Sequence, residues 1–312
     1  MCPAWLRIVA TGCLGIVAGC APSNVPRDVA ASEIAPEPIE EDYLVPIDAA
    51  PIDVTLADVG TDTATDAPAD ITRPGDGGFT GGPSQCATSG YLICDDFESG
   101  SWASVWSPHM NSGTMVVDAM HVARGSHALH ITTTTVAGGT TGANVGLTST
   151  HGFPLASNTY WGRAFVYLAG TAAPTTHTTL FESNGQIHPD GGTFNVSQRF
   201  SIAAMKLDAS YDTSPRPPTT DYARRSATGM PLNRWACLEW EFKGDTNEVH
   251  YFLDDVELMD MRVLPTTTPE WTAPAWAHVQ VGLQLYRPDT INTFDMWLDE
   301  VAINTTRIRC EN

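Results

Sequence analysis

The chain has 312 residues, only 17% of them charged, and a formal net charge of −20. That length allows one large domain or two small ones. The acidic balance argues against nucleic acid as a partner, because it repels a phosphate backbone at long range. No Ser-centred elbow, phosphate-binding loop or dinucleotide fingerprint occurs.

The first segment, 1–20, carries one positive charge, Arg7, followed by an apolar and small-residue run, 8–18. The run is too short to span a bilayer as a helix and reads as an export signal. It ends in Val17-Ala18-Gly19-Cys20, which resembles the bacterial lipobox. That likeness implies cleavage before Cys20 and lipidation of its thiol, and two acyl chains hold a protein stably on a membrane. The expectation is an exported lipoprotein, anchored at the outer membrane or cell surface and touching the membrane only through its lipid.

Residues 21–85 read as a disordered acidic linker of Asp, Pro, Thr and Ala. Thirteen acidic residues fall between Asp28 and Asp76, against Arg27 and Arg73. With few aromatics and no amphipathic period, the stretch cannot bury enough apolar surface to offset ordering entropy. Like charges and prolines keep such a chain extended.

From Cys86 to the end, 86–312, the texture changes to frequent Gly and Thr with period-two alternation. Strands are predicted at 114–119, 128–134, 161–168, 177–182, 199–207, 235–242, 249–253, 279–286 and 296–303. Turns are predicted at Gly138-Gly139, Gly191-Gly192, Asp254-Asp255 and Arg287-Pro288-Asp289. Many strands, no capped helical period and more than 200 residues imply an all-β, two-sheet jelly-roll sandwich of the concanavalin-like type. Cys86, Cys94, Cys237 and Cys310 lie in this domain. An even number in an exported domain suggests two disulfides, with three pairings open.

The ends of the domain carry a resemblance. Near the start stands Asp95-Asp96-Phe97-Glu98-Ser99-Gly100, then Trp106, then Val122-Ala123-Arg124-Gly125-Ser126-His127-Ala128-Leu129. Near the end stand Trp235-Ala236-Cys237-Leu238-Glu239-Trp240, the hairpin 251–256, Trp297-Leu298-Asp299-Glu300-Val301-Ala302-Ile303 and Thr306-Arg307-Ile308-Arg309-Cys310. This order resembles the fungal cellulose-induced jelly-roll proteins and their bacterial relatives, a group similar to the glucuronan lyases of polysaccharide lyase family twenty. The resemblance implies a structural calcium ion tying the first strand to the last. Its ligands would fall on Glu98, the turn from Arg124 to His127, and Asp299. His127 stands where the family tends to have an Asn-like donor. The resemblance also implies a Cys237–Cys310 disulfide; Cys86–Cys94 is expected to close a short loop at the domain's start.

Lyases of this family cleave uronic-acid polymers by β-elimination. A base removes the proton next to the carboxylate, while cationic or amide groups stabilise the developing charge. Arg199 matches a groove Arg of the family, and alternation along 199–207 sends Arg199, Ser201 and Ala203 to the groove with Phe200, Ile202 and Ala204 in the core. Tyr286 matches a family aromatic, Gln284 replaces an acid, and Arg163 and His177 fall on plausible groove positions. Two of the family's three groups on the Arg199 strand are replaced, by Ser197 and Ala203. Gln186-Ile187-His188 is similar to a triplet of jelly-roll alginate lyases, but Pro189-Asp190-Gly191-Gly192 follows at once and implies a loop. Trp271, with Trp276, could stack on sugars. Glu239 and Glu241 share a strand face, a weak signal for a two-carboxylate glycosidase. The expected function is a cell-surface protein acting on or binding a polysaccharide, acidic for a glucuronan-type lyase. The alternative is a non-catalytic carbohydrate-binding or adhesion lipoprotein. A monomer is expected.

Overall fold

The computed structural model describes residues 80–87, 89–134, 142–188, 191–215, 222–266, 271–286 and 293–311. The signal with Cys20, the linker up to residue 79 and the turns at Gly138-Gly139 and Arg287-Pro288-Asp289 lie outside them. Among the described residues there are fifteen strands, numbered along the chain, and no α-helix. They form two antiparallel sheets packed as a sandwich, as expected.

The first sheet runs β13 (Val256–Glu257), β12 (Glu248–Leu253), β11 (Trp235–Lys243), β6 (Thr159–Ala169), β15 (Thr293–Asn304), β4 (Ala128–Thr134) and β3 (Gly113–Asp118). The short β1 (Ile93–Asp95) also pairs with β15. The second sheet runs β10 (Tyr222–Gly229), β9 (Lys206–Ser214), β8 (Phe194–Ala203), β7 (Thr178–Ile187), β14 (Ala275–Leu285), β5 (Asn144–Ser149) and β2 (Ser107–Asn111).

The inner faces hold the core. Phe181 on β7 stacks on Trp240 of β11, with ring centroids 4.2 Å apart, and Phe200 on β8 meets Tyr251 of β12 edge-on. One polar link crosses this core. The Gln198 amide donates to the Tyr251 hydroxyl at 2.6 Å, and that hydroxyl donates to the Arg199 carbonyl at 2.9 Å. A buried polar group is tolerable when it is bonded in this way. The link fixes the backbone directly beneath the Arg199 side chain.

The predicted strand 199–207 is two strands and a turn. Ala204 and Met205 take positive φ values of 48° and 65°, and both are exposed, so Ala204 is not a core residue. Their N–H groups donate to the carbonyls of Thr175 and Pro174 at 2.9 Å, which supports a conformation their side chains disfavour. Gln186 and Ile187 lie within β7 rather than in a loop; only His188 follows the strand. Asp254 and Asp255 form the hairpin turn as predicted, both with positive φ. Upstream, Gln85 is buried against Arg163 and Glu300, so the packed domain begins before Cys86. The disulfides are Cys86–Cys94 and Cys237–Cys310.

Candidate functional site

Sheet alternation sends every second side chain of the second sheet away from the core. On β9, β8, β7, β14, β5 and β2 these outward residues fall into register. One row is Ser210, Arg199, Glu182, Gln280, Thr148 and Ser107. On one side lies Asp212, Ser197, Asn184 and His278; on the other, Asp208, Ser201, Thr179, Gln284, Asn144 and Asn111. All are polar. Six strands at about 4.8 Å each make a face roughly 24 Å across.

Charge is concentrated on β7, β8 and β9. The Arg199 guanidinium donates to Glu182 through Nε and to Asp212 through Nη1. Glu182 is nearly buried, whereas Asp212 is open to solvent. Asp208 is buried, and burial pushes its carboxyl up to about 6, against the opposing pull of Arg225 at 3.5 Å. His109, His177 and His278 all lie below their ordinary value, chiefly through desolvation. For His177 the neighbouring Arg199 charge adds to the effect. These imidazoles are therefore neutral near pH 7 and able to accept a proton.

Several polar atoms of this face are buried without a hydrogen-bond partner in the protein: Asn184 Oδ1, Ser201 Oγ, Ser210 Oγ and Gln284 Oε1. Such groups are costly unless something satisfies them. A hydroxyl-rich ligand suits the solvent-reaching side chains of the rows, Ser107, Thr148, Ser197, Asp212 and Gln280, since each hydroxyl both donates and accepts.

The structure gathers part of the predicted site. Arg199, His177 and Gln284 share the outward face. Tyr286 follows β14 and is exposed; its N–H donates to the His177 carbonyl at 2.9 Å. Gln186 and His188 line an open cleft of about 590 Å³ at one end of the face, with Asn184, Asn195 and His278. Arg163 does not belong there. It lies on β6 of the other sheet, fully buried, and donates to Gln85, to the Arg309 carbonyl and to Glu300. Trp271 is 2% exposed and packs edge-on against Tyr211, so it has no free face for a sugar; Trp276 is fully buried as well. Glu239 is held by Arg307 at 2.9 Å on the far sheet, an ion pair rather than half of a catalytic pair.

The residues expected to hold calcium are brought together by the 123–127 turn. Glu98 accepts from the N–H groups of Ser126 and His127 and from the Ser126 hydroxyl, at 2.6–2.8 Å. Burial works to raise its carboxyl, but these bonds outweigh it and hold Glu98 below the usual range. Gly125 takes φ +69°, which glycine adopts without strain, and a Cβ there would sit 2.4 Å from a Glu98 oxygen and push that carboxylate off the turn. Asp299 accepts from the N–H groups of Ala123, Arg124 and Glu300. Burial nonetheless raises it to about 8. Calcium needs several converging oxygens, whereas here N–H donors converge on both carboxylates. The residues as placed do not form that cage. Among the described residues, the groups of three close metal-capable side chains include neither Glu98 nor Asp299, and both contain disulfide cysteines.

Sequence reasoning missed Glu182, Asp208, Asp212, Asn184, His109 and His278. Their signal was alternation within strands; which strands share a sheet, and in what register, is not written locally.

No family model matches the chain, and no curated protein matches it. Solved structures do. The "Cellulose induced protein, Cip1" aligns with a TM-score of 0.54 at 19% identity, over 70% of this chain and 99% of that one. The endo-beta-1,4-glucuronan lyase from the fungus Trichoderma reesei aligns at 0.53 and 18%, over 69% and 96%. Alginate lyase vAL-1 from Chlorella virus aligns at 0.50 and 7%, over 69% and 100%. At these identities the likeness is one of fold.

Proposed function

We propose that the outward face of the second sheet is a polysaccharide-binding groove, on a protein exported and held at the membrane by lipid on Cys20. The observation that carries the reading is the set of in-register polar rows across six strands. Sugar hydroxyls would exchange hydrogen bonds with the side chains of these rows, whose fixed positions on rigid strands would select among sugar orientations. Two of the structural neighbours are named as polysaccharide lyases, which supports this class of ligand. The test is binding of a polysaccharide panel to the full chain, with Gln280→Ala and Asn184→Ala as groove variants. A bound glycan whose affinity drops about tenfold or more in either variant supports the groove; a panel with no binder rejects it.

A second reading, β-elimination of a uronan, is favoured by one observation. The Arg199 charge acts on His177, whose imidazole is held below its ordinary value, so a cation and a candidate base share this face. His177 would take the proton next to the carboxylate and Arg199 would stabilise the developing charge. Against it, Arg199 already serves two carboxylates, which an acidic substrate would have to displace. Release of unsaturated products, followed by ultraviolet absorbance, decides between cleavage and binding alone. Labelling with a radioactive fatty acid tests the anchor: label retained by Cys20→Ser would contradict it.

A further inference from the structure

The first sheet has its own row on its outer face, and this one is aromatic. Trp235 on β11 pairs with Tyr167 on β6, Tyr167 with Trp297 on β15, and Trp297 with His130 on β4. His121 stacks on Tyr167 at 4.0 Å, and Trp235 meets Tyr167 at 5.7 Å and 63°. Beside the Trp235 end lies an open cleft of about 530 Å³. Its rim is held in place by two backbone bonds, from Gly81 N–H to the Ala123 carbonyl and from Gly125 N–H to the Gly82 carbonyl. Trp235, Tyr167 and His121 remain half-buried, so part of each ring faces outward.

In a chain of net charge −20, this cleft is lined by Arg124 and Arg234 and, among the described residues, by no carboxylate. Arg234 is partly neutralised by Asp254 at 2.9 Å. Asp299 lies behind the lining, its oxygen on the N–H groups of Ala123 and Arg124. Arg124 is different: its guanidinium lies 5.9 Å from the Phe165 ring, and its Nε is buried without a hydrogen-bond partner. The groove on the opposite sheet has the reverse balance, with Glu182, Asp208 and Asp212 against Arg199 and Arg225.

We propose that this cleft is a second glycan site, separate from the groove, that takes an acidic sugar unit. The sugar carboxylate accepts from Arg124, and the apolar face of the ring rests on Trp235. Guanidinium suits a carboxylate through parallel donors, and an indole face suits the C–H side of a pyranose while leaving its hydroxyls to water. The inference does not rest on the groove reading, because it uses different residues on the other sheet.

The experiment titrates the full chain with short glucuronate oligomers and with matching glucose oligomers, by calorimetry and tryptophan fluorescence. The expected result is preferential uronate binding that weakens with salt. Arg124→Gln and Trp235→Leu should each lower it about tenfold or more, in the parent and in the groove variant Gln280→Ala alike. If Arg124→Gln perturbs folding, Trp235→Leu decides. The proposal is overturned if glucose oligomers bind as well as glucuronate, if neither cleft variant weakens binding, or if only the groove variant does. A cleft that binds uronate in a protein whose groove binds nothing would leave this proposal standing and reject the groove.

Discussion

Replacing Arg199 with Met removes the cation between two acids while keeping the stem of the side chain. Glu182 is then left 8% exposed with no counter-charge, whereas Asp212 is 58% exposed and simply returns to water. Breaking a buried pair by removing one partner costs about 3–5 kcal/mol; an exposed pair contributes about 0–1. The side chains here are not wholly dry, so the lower end applies, about 3 kcal/mol. For a domain of this size that corresponds to roughly 6–12 °C in melting temperature. Asp212→Asn should cost less than about 1 kcal/mol. The double variant Arg199→Met/Glu182→Gln removes both buried charges and should recover most of the loss. Urea unfolding of the parent, these three variants and Glu182→Gln measures each difference and the Arg199–Glu182 coupling. The pH titration of His177 by NMR gives a second signature: with the Arg199 charge gone, its pKa should rise towards the ordinary value. If Arg199→Met costs no more than Asp212→Asn, or the double variant is as unstable as the single, the groove floor is solvated and the reasoning fails.

The buried Asp208 gives a pH signature. Its folded value, about 6, lies above the ordinary 3.8, so its neutral form fits the fold, and that stability is present below 3.8 and lost as pH rises through 6. Asp208→Asn should therefore raise stability by about 1–3 kcal/mol at pH 8 and change little at pH 3.5; equal effects at both pH values would contradict the burial argument. The Cys237–Cys310 bridge spans 73 residues, and its removal as a Ser pair should cost about 4 kcal/mol in the chain-entropy model; an unchanged urea midpoint would show that the bridge does not constrain the unfolded chain. If Glu98 and Asp299 staple the 123–127 turn through hydrogen bonds alone, a chelator should leave the melting temperature unchanged; a drop reversed by added calcium would restore the structural ion.

The sandwich was legible because most core strands alternate cleanly, and the 128–134 strand matches β4 residue for residue. The edges were not. β2, Ser107–Asn111, has exposed residues on both faces and a proline, so it carries no apolar period. The β8–β9 hairpin turns at Ala204-Met205, without Gly, Asn or Asp to announce it, and its support comes from Pro174 and Thr175. Arg163 was misplaced for a related reason. β6 is buried on both faces, so alternation cannot say which face is the groove, and nothing local says which sheet the strand joins. Arg199 was found because it matches a groove Arg of the resembled family and alternates with Phe200 and Ile202, both fully buried. Its partners Glu182 and Asp212 come from strands on either side, and only pairing register reveals them.

The most direct test of the groove is a crystal structure of the protein with a bound oligosaccharide from the panel. The account predicts sugar units lying across β8, β7 and β14, with hydroxyls bonded to Asn184, Glu182, Gln280 and Gln284. A sugar bound only elsewhere on the molecule, or none on that face at saturating concentration, would contradict it.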